Sequence, residues 1–322
     1  MTSDMSITMA NRLSASDAVH ARQRDHFKAI AETTLESIQE GSVNIAGVSL
    51  DLAAKVRFSD YNTRYCPPDD HFLSGWTLNV PNLSPTTTEI SILEISTLHG
   101  ASLLHDTSSR STSFGRIAVL NFASPIHPGG RFLAGSPSQE ESIARSSTLY
   151  HSLMTNTAQQ FYKLHLHDRR GGFYHHAMIY TPAVVVFRDD AGAWVTPFEV
   201  DILTCAAVNA GQVQKEIGGR ADRAKVEREI EVVMKERMAR ILCLMELQGA
   251  KNLVLGSFGT GAFRNSVEMV ARIWADLLRT EGARYRYSFD RIVFAILDTS
   301  TFSTFKRSFE KACDTTNMHV HP

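Results

Sequence analysis

The chain has 322 residues, 43% of them hydrophobic and 21% charged, with a formal net charge of −1. This ordinary globular usage excludes wholesale disorder, and the near-zero charge excludes a protein that grips polyanions by its overall field. Any anionic ligand must therefore be held by a local site. Four dispersed cysteines (Cys66, Cys205, Cys243, Cys313) form no C-x-x-C pair, which argues against a zinc ribbon or thioredoxin-type motif and for a reducing compartment. The first ten residues lack the apolar run of a leader, and no stretch approaches the ~18 apolar residues of a membrane span. The expectation is a soluble intracellular protein, cytoplasmic or nuclear, with no membrane partner.

Residues 1–16 are rich in Ser, Thr and Met and are expected to fray. A helical period follows over 17–39, carried by Val19, Phe27, Ile30, Leu35 and Ile38, with Ser16 or Asp17 as N-cap and Gly41 as the stop. Residues 43–53 read as a hairpin about Gly47. Residues 59–88, with Pro67, Pro68, Pro81, Pro85 and a Thr run, read as a loop region or lid. Residues 88–96 form a β-rich run and 97–106 a short helix. The run IAVLNF (117–122) is a strand apolar enough to be buried on both faces. A Gly/Pro/Ser loop (123–138), a helix over 139–154 and a further segment around 159–165 come next. Buried strands are expected at 177–187 (broken by Pro182), 202–208, 253–257 and 292–297, and helices at 223–248, 267–280 and 302–313. Strands alternating with helices after Thr88 predict a three-layer α/β sandwich. The core is placed at 89–316, with 17–88 as a mostly helical N-terminal elaboration packed on it.

Two glycine-rich loops each follow a buried strand and precede a helix: NFASPIHPGGRFLAGSPSQEE (121–141) and GSFGTGAF (256–263). Such loops bring backbone N–H groups to an anion, and the next helix N-terminus adds positive partial charge. The second lacks dinucleotide-binding glycine spacing and neither holds the G-K-[ST] of a P-loop, which disfavours a nicotinamide oxidoreductase or an NTPase. Glu140 and Glu141 open a helix, where acidic residues are stabilising by themselves, and Ser138 with Glu141 fits a capping box. The alternative is a carboxyl set beside a phosphate-cradling loop to protonate a leaving oxygen, which at neutral pH requires a pKa above the free value of about 4.3.

The run VLNFASPIHPGGRFLAGSPSQEESIARSSTLYHSL (119–153) resembles the microbial-type poly(ADP-ribose) glycohydrolases, whose signature is a triple glycine, a short spacer and Gln-Glu-Glu. AETTLESIQEG, MIYTPAVVVFRDD, LTCAAVNAG, LVLGSFGTGAFRN and RIVFAILD resemble further blocks of that family in its order, so the likeness spans about residues 25–310. The resemblance implies a macrodomain: an α/β/α sandwich with a mixed sheet that binds ADP-ribose. It implies Glu141 as catalytic acid/base and Glu140 as the residue orienting the scissile ribose. Asn121 would hydrogen-bond the distal ribose. Gly129, Gly130 and their neighbours, with Gln139, would line ribose and diphosphate. Gly259, Thr260, Gly261 and Ala262 would form a second diphosphate loop, and Phe263 would pack on the distal ribose. The implied substrate is poly(ADP-ribose) or ADP-ribosylated protein, the product ADP-ribose and the setting reversal of ADP-ribosylation in the DNA damage response. No cofactor and no metal are called for, and a monomer is expected.

The chain departs from the family pattern at three places. Arg131 stands at the third glycine, where it would be strained by ~1 kcal/mol or more if φ must be positive. Otherwise it contacts the diphosphate, or narrows the site for another ADP-ribose linkage, such as a single ADP-ribose on protein or nucleic acid. Ser257–Gly261 replaces Ala-Trp-Gly-Cys-Gly, and residues 206–209 replace Pro-Ala-Pro-Asn. A non-catalytic ADP-ribose reader is the remaining alternative, opposed by the retained glutamates. HLHDRRGGFYHH (165–176) lacks i, i+4 histidine spacing and reads as an exposed polar loop rather than a metal site. Tyr174 or Tyr180 would be the residues of that region to reach a ligand, and Phe294 is a core residue or an adenine-facing aromatic.

Overall fold

The computed structural model describes residues 2–45, 47–78, 87–108, 115–168, 170–217 and 222–317. In chain order the elements are α1 (Thr2–Glu40), β1 (Ser42–Ile45), β2 (Val48–Asp51), α2 (Leu52–Asn62), β3 (Arg64–Cys66), α3 (His71–Ser74), β4 (Glu89–Leu93), α4 (Thr97–Ser108) and β5 (Arg116–Phe122). There follow α5 (Gln139–Ser146), α6 (Leu149–Leu153), α7 (Asn156–Leu166), β6 (Met178–Arg188), β7 (Trp194–Cys205), α8 (Ala210–Ile217), α9 (Arg223–Leu247), β8 (Ala250–Leu255), α10 (Val267–Leu278), β9 (Arg291–Ala295) and α11 (Thr299–Asn317).

Seven strands form one mixed sheet in the order β3-β6-β7-β5-β8-β9-β4. β7, β5, β8, β9 and β4 run parallel to one another, whereas β3–β6 and β6–β7 are antiparallel. Alternate residues of β5 divide the core into two layers. Ala118 and Leu120 join α9, α10 and α11 through Met238, Trp274 and Phe305, while Ile117 and Val119 join α4 to α7 through Leu104, Ile143, Leu149 and Phe161. The sheet is thus covered on both faces, as the alternation of strands and helices predicts.

Several expectations are revised. α1 begins at Thr2, not at Asp17, and no Gly or Pro interrupts the chain before Gly41. Residues 59–78 are not one loop: α2 ends there, β3 adds an edge strand to β6, and α3 is capped by Asp70, which accepts from the Leu73 N–H at 3.0 Å. Pro81, Pro85 and the rest of 79–86 lie outside the described residues. The expected 139–154 helix is two helices. Ser147 bridges Val186, and Thr148 exchanges bonds with Val185, its N–H donating at 3.0 Å and its Oγ1 accepting at 3.1 Å. β6 runs through Pro182 by a register shift between Thr181 and Val184, with Ala183 at φ 53°. β7 begins at Trp194, well before 202, because its first half is partly exposed and carries no apolar run. The hairpin about Gly47 is present as β1–β2.

Candidate active site

The site forms where parallel strands end. β5, β8 and β9 release their chains into loops at one edge of the sheet, the place where open α/β sheets leave a crevice. A cavity of about 580 Å³ opens there, walled by residues 122–124, 137–143, 257–263 and 295–298. The first turns of α4, α5 and α11 contribute to the wall, so three helix N-termini bring positive partial charge to it.

Glu140 and Glu141 occupy the first turn of α5 and are both buried. Glu140 Oε2 accepts from the Ser124 N–H at 2.6 Å. Burial pushes its carboxyl well above the usual range, and neighbouring Glu141 pushes the same way, while Ser124, Asn121 and Gly129 oppose the rise. Glu141 Oε1 accepts from the Arg131 N–H at 3.0 Å. Gly130 permits this convergence: a Cβ there would lie 2.4 Å from Glu141 Oε1 and 3.1 Å from Glu140 Oε2. The capping box is not made, because Ser138 forms no side-chain cap and the Glu141 carboxylate turns to Arg131 instead. Gln139 pins the turn to β5: its Oε1 accepts from the Phe122 N–H at 2.8 Å, and its Nε2 donates to the Leu120 carbonyl at 2.7 Å and to Thr97 Oγ1 at 3.2 Å.

The 257–263 loop supplies another part of the wall. Gly259 has φ 75°, and Asn265 ties the loop back by donating from Nδ2 to the Gly259 carbonyl at 2.9 Å and to the Val208 carbonyl at 2.7 Å. Thr260 folds onto the Ser257 carbonyl through both its N–H and its hydroxyl. Gly261 faces open space. A wall of loop backbone and helix ends that includes paired carboxyls suits a diphosphate-bearing sugar whose glycosidic bond lies by the carboxyls.

The family model for the microbial-type PARG catalytic domain matches residues 31–189. The poly(ADP-ribose) glycohydrolase (PARG) structure from Thermomonospora curvata is 34% identical, with a TM-score of 0.77, covering 90% of this chain and 100% of that one. The same organism's enzyme bound to the inhibitor ADP-HPD is 33% identical over 89% of this chain and 99% of that one, with a TM-score of 0.75. The Deinococcus radiodurans PARG in complex with ADP-ribose is 29% identical over 84% of this chain and all of that one, with a TM-score of 0.68. No curated protein matches. This chain belongs to the microbial-type PARG family.

Within that family frame, the residues sort unevenly. Glu140, Glu141, Gln139, Gly259, Thr260, Gly261, Ala262 and Phe263 all line the cavity. Asn121 does not: it is fully buried at the end of β5, donating to Thr204 Oγ1 at 3.2 Å and supporting Glu140. Neither Gly129 nor Gly130, at φ 67° and 64°, is in the cavity wall: Gly130 backs the two glutamates, and Gly129 packs against Ala144, Phe132 and Tyr150. Arg131 has φ −111°, so it carries no left-handed strain, and its exposed side chain is not part of the cavity wall. Phe294 is core, packed on Trp274, Phe305 and Phe309. Tyr180 is buried with its hydroxyl on Asp201, and Tyr174 lies 6.1 Å from the Phe263 ring.

The histidine segment is not the exposed loop expected. His165 is buried, with Nδ1 on the Phe161 carbonyl and Nε2 accepting from the His175 N–H, and burial pushes it down to about 4. His176 is pushed down to about 3 by burial and by Arg237, Arg240 and Arg170. No cluster able to hold a metal exists among the described residues. Nor is any described helix long and apolar enough to cross a membrane.

Sequence reasoning missed several residues of the wall. Gln23 and Phe27 come from α1, whose closeness to the site no local motif announces. Arg145 stacks over Phe27 at 4.0 Å and donates to the Ser136 carbonyl at 2.9 Å. Asp190 accepts from Ser142 Oγ at 2.6 Å and from the Ser96 hydroxyl, joining α5 to the loop before α4. The RDD run in which it sits was visible as a family block, but not its partners.

Proposed function

We propose that this protein hydrolyses the ribose–ribose O-glycosidic bonds of poly(ADP-ribose), releasing ADP-ribose, with Glu141 as acid/base. The observation that carries the reading is the convergence of Glu140 and Glu141 over Gly130 in a cavity walled by helix N-termini and the second glycine loop. Glu141 donates a proton to the departing 2′ oxygen as the anomeric C–O bond breaks. It then takes a proton from the water that attacks the oxocarbenium-like sugar. The Arg131 N–H fixes one oxygen of Glu141 and leaves the other for this transfer. Glu140, held by Ser124, receives ribose hydroxyls, and Asn121 acts through Glu140. The diphosphate lies against 257–263 and the helix ends. The ordinary backbone at Arg131, with its side chain outside the wall, supports the polymer reading over a hydrolase for another linkage.

The four cysteines are free, in keeping with an intracellular location. Residues 17–88 are read as packed on the 89–316 core, to whose sheet β3 adds an edge strand.

The test is release of ADP-ribose from labelled polymer and from singly modified protein. Polymer is expected to be consumed. Glu141→Gln is expected to lose about 10³-fold or more in kcat while binding ADP-ribose within a few-fold of the parent. Tight binding without release by the parent, or an active Glu141→Gln, overturns the reading.

A further inference from the structure

Tyr174 has no part in the reaction scheme above and is not in the cavity wall, yet the fold brings it to the site. β6 runs antiparallel to β7 and pairs Ile179 with Thr204, so the chain entering β6 lies at the edge where β5 and β7 end. There the Tyr174 and Phe263 rings meet with centroids 6.1 Å apart and planes at 42°, within the range of an attractive aromatic pair. Phe263 is the member of that pair in the wall.

Both turns are held against their backbone preference. Three non-glycine residues among those described have left-handed backbone. Ala183 sits in the β6 irregularity; the others are Tyr174, at φ 52°, and Arg264, at φ 59°, directly after Phe263. Such a conformation is costly for a residue with a Cβ and persists only where its surroundings enforce it. Around Tyr174 they do. The fully buried Arg237 of α9 donates from Nη2 to the Phe173 carbonyl at 2.8 Å and to the Tyr174 carbonyl at 3.1 Å, and from Nη1 to the Ala206 carbonyl at 3.0 Å. The Tyr174 ring stands edge-on to His165 at 5.8 Å, and its hydroxyl donates to Gln212 Oε1 at 3.3 Å. At Phe263 the carbonyl accepts from the Gly211 N–H at 3.1 Å, and the Arg264 N–H donates to the Gly261 carbonyl at 3.0 Å. These bonds fix the backbone of Phe263 but not its side-chain torsions. The ring itself is restrained by the core layer it packs on and by Tyr174.

We propose that Tyr174 is a positioning residue for Phe263, holding its ring in the orientation against which the distal ribose packs, while Arg237 holds Tyr174. This rests on the glycohydrolase reading of the site. Tyr174 acts only through Phe263. ADP separates that role from general support of the fold, because it carries adenosine and diphosphate but no distal ribose.

The experiment compares Tyr174→Leu and Tyr174→Phe with the parent in melting temperature, in kcat and KM on polymer, and in affinity for ADP-ribose and for ADP. Leucine carries the same left-handed penalty as tyrosine and removes the ring; phenylalanine keeps the ring and removes only the bond to Gln212. Tyr174→Leu is expected to lower kcat/KM roughly tenfold, mostly in kcat, because the ribose is misaligned. Its ADP-ribose affinity should fall about fivefold, the worth of an aromatic pair, with ADP affinity kept. Tyr174→Phe is expected to stay within about twofold of the parent throughout. In a Phe263→Leu background, Tyr174→Leu should cost no more than about twofold in ADP-ribose affinity. Tyr174→Gly, which accepts φ 52° without strain, repeats the ring removal and must give the same split between ADP-ribose and ADP. Parental values without the ring, equal losses for the two ligands, or the full cost in the Phe263→Leu background overturn the proposal. A parent that leaves polymer intact defeats the glycohydrolase reading, and the comparison of ADP-ribose with ADP then still decides the role of Tyr174.

Discussion

The two glycine-rich loops leave neighbouring parallel strands and look alike in sequence, yet the missing Cβ atoms serve different purposes. In the first loop Gly130 yields space to carboxylates: a side chain there would meet Glu141 and Glu140. In the second, Gly259 yields space to the fold itself, since a Cβ would lie 2.4 Å from Ala207 Cβ and 2.7 Å from Asn265 Nδ2. Two residues on, Gly261 yields space to nothing in the protein. Glycine richness therefore reports three distinct demands: room for the reacting groups, room for packing, and a bare backbone facing the ligand.

The largest effect is expected where chemistry and glycine meet. Gly130→Ala adds a methyl group 2.4 Å from Glu141 Oε1, at φ 64°. The carboxylate tip can swing away more easily than the backbone can move, so the enzyme is expected to fold but with its acid/base misplaced. A displacement of that size costs about 10²-fold or more in kcat/KM, measured on polymer, while ADP-ribose affinity changes much less. Equal losses in kcat/KM and affinity would place Gly130 in ligand binding instead.

Gly259→Ala should break the comparison in the opposite sense. Its new methyl meets Ala207 Cβ, which has no rotamer to change, and φ is 75°. Strain and overpacking together are expected to lower stability by about 2 kcal/mol in urea unfolding. kcat/KM is expected to fall less than in Gly130→Ala, because a Cβ at Gly259 meets Ala207 and Asn265 rather than the glutamates. A variant as stable as the parent would mean that the loop has an alternative path and that Asn265 does not hold it.

The buried parallel strands were legible in the sequence because continuous apolar runs such as IAVLNF have few other uses, and the Gln-Glu-Glu turn was legible as a motif. β3 was not, because three residues, Arg64–Cys66, carry no period and become a strand only through β6. The split between α5 and α6 was hidden for a similar reason: Ser147 and Thr148 leave the helix to pair with Val185 and Val186, partners distant in sequence. At the site, residue identity gave the chemistry but not the orientation. Gln139 spends its amide on β5, Asn121 turns to Thr204 and Glu140, and Arg131 contributes its N–H rather than its guanidinium. Gln23 and Phe27 enter the wall through the packing of α1, which only the tertiary fold determines.

Gly261→Ala is expected to have the smallest effect, and it separates the third demand from the other two. The added Cβ meets nothing within 4 Å, and φ lies outside the left-handed region, so the fold has no reason to resist it. Stability should stay within about 0.5 kcal/mol of the parent. If backbone N–H groups of this loop reach the diphosphate, however, a methyl on the cavity wall stands between them and the oxygens. ADP-ribose affinity is then expected to fall roughly tenfold by calorimetry, a cost of about 1.4 kcal/mol. Unchanged affinity in a stable variant would move the diphosphate off this loop and leave the helix N-termini of the cavity to hold it. The near-neutral chain makes this small experiment informative: without a strong overall field, the ligand's negative charge has to be met by local backbone groups, and Gly261 is where they stand most open.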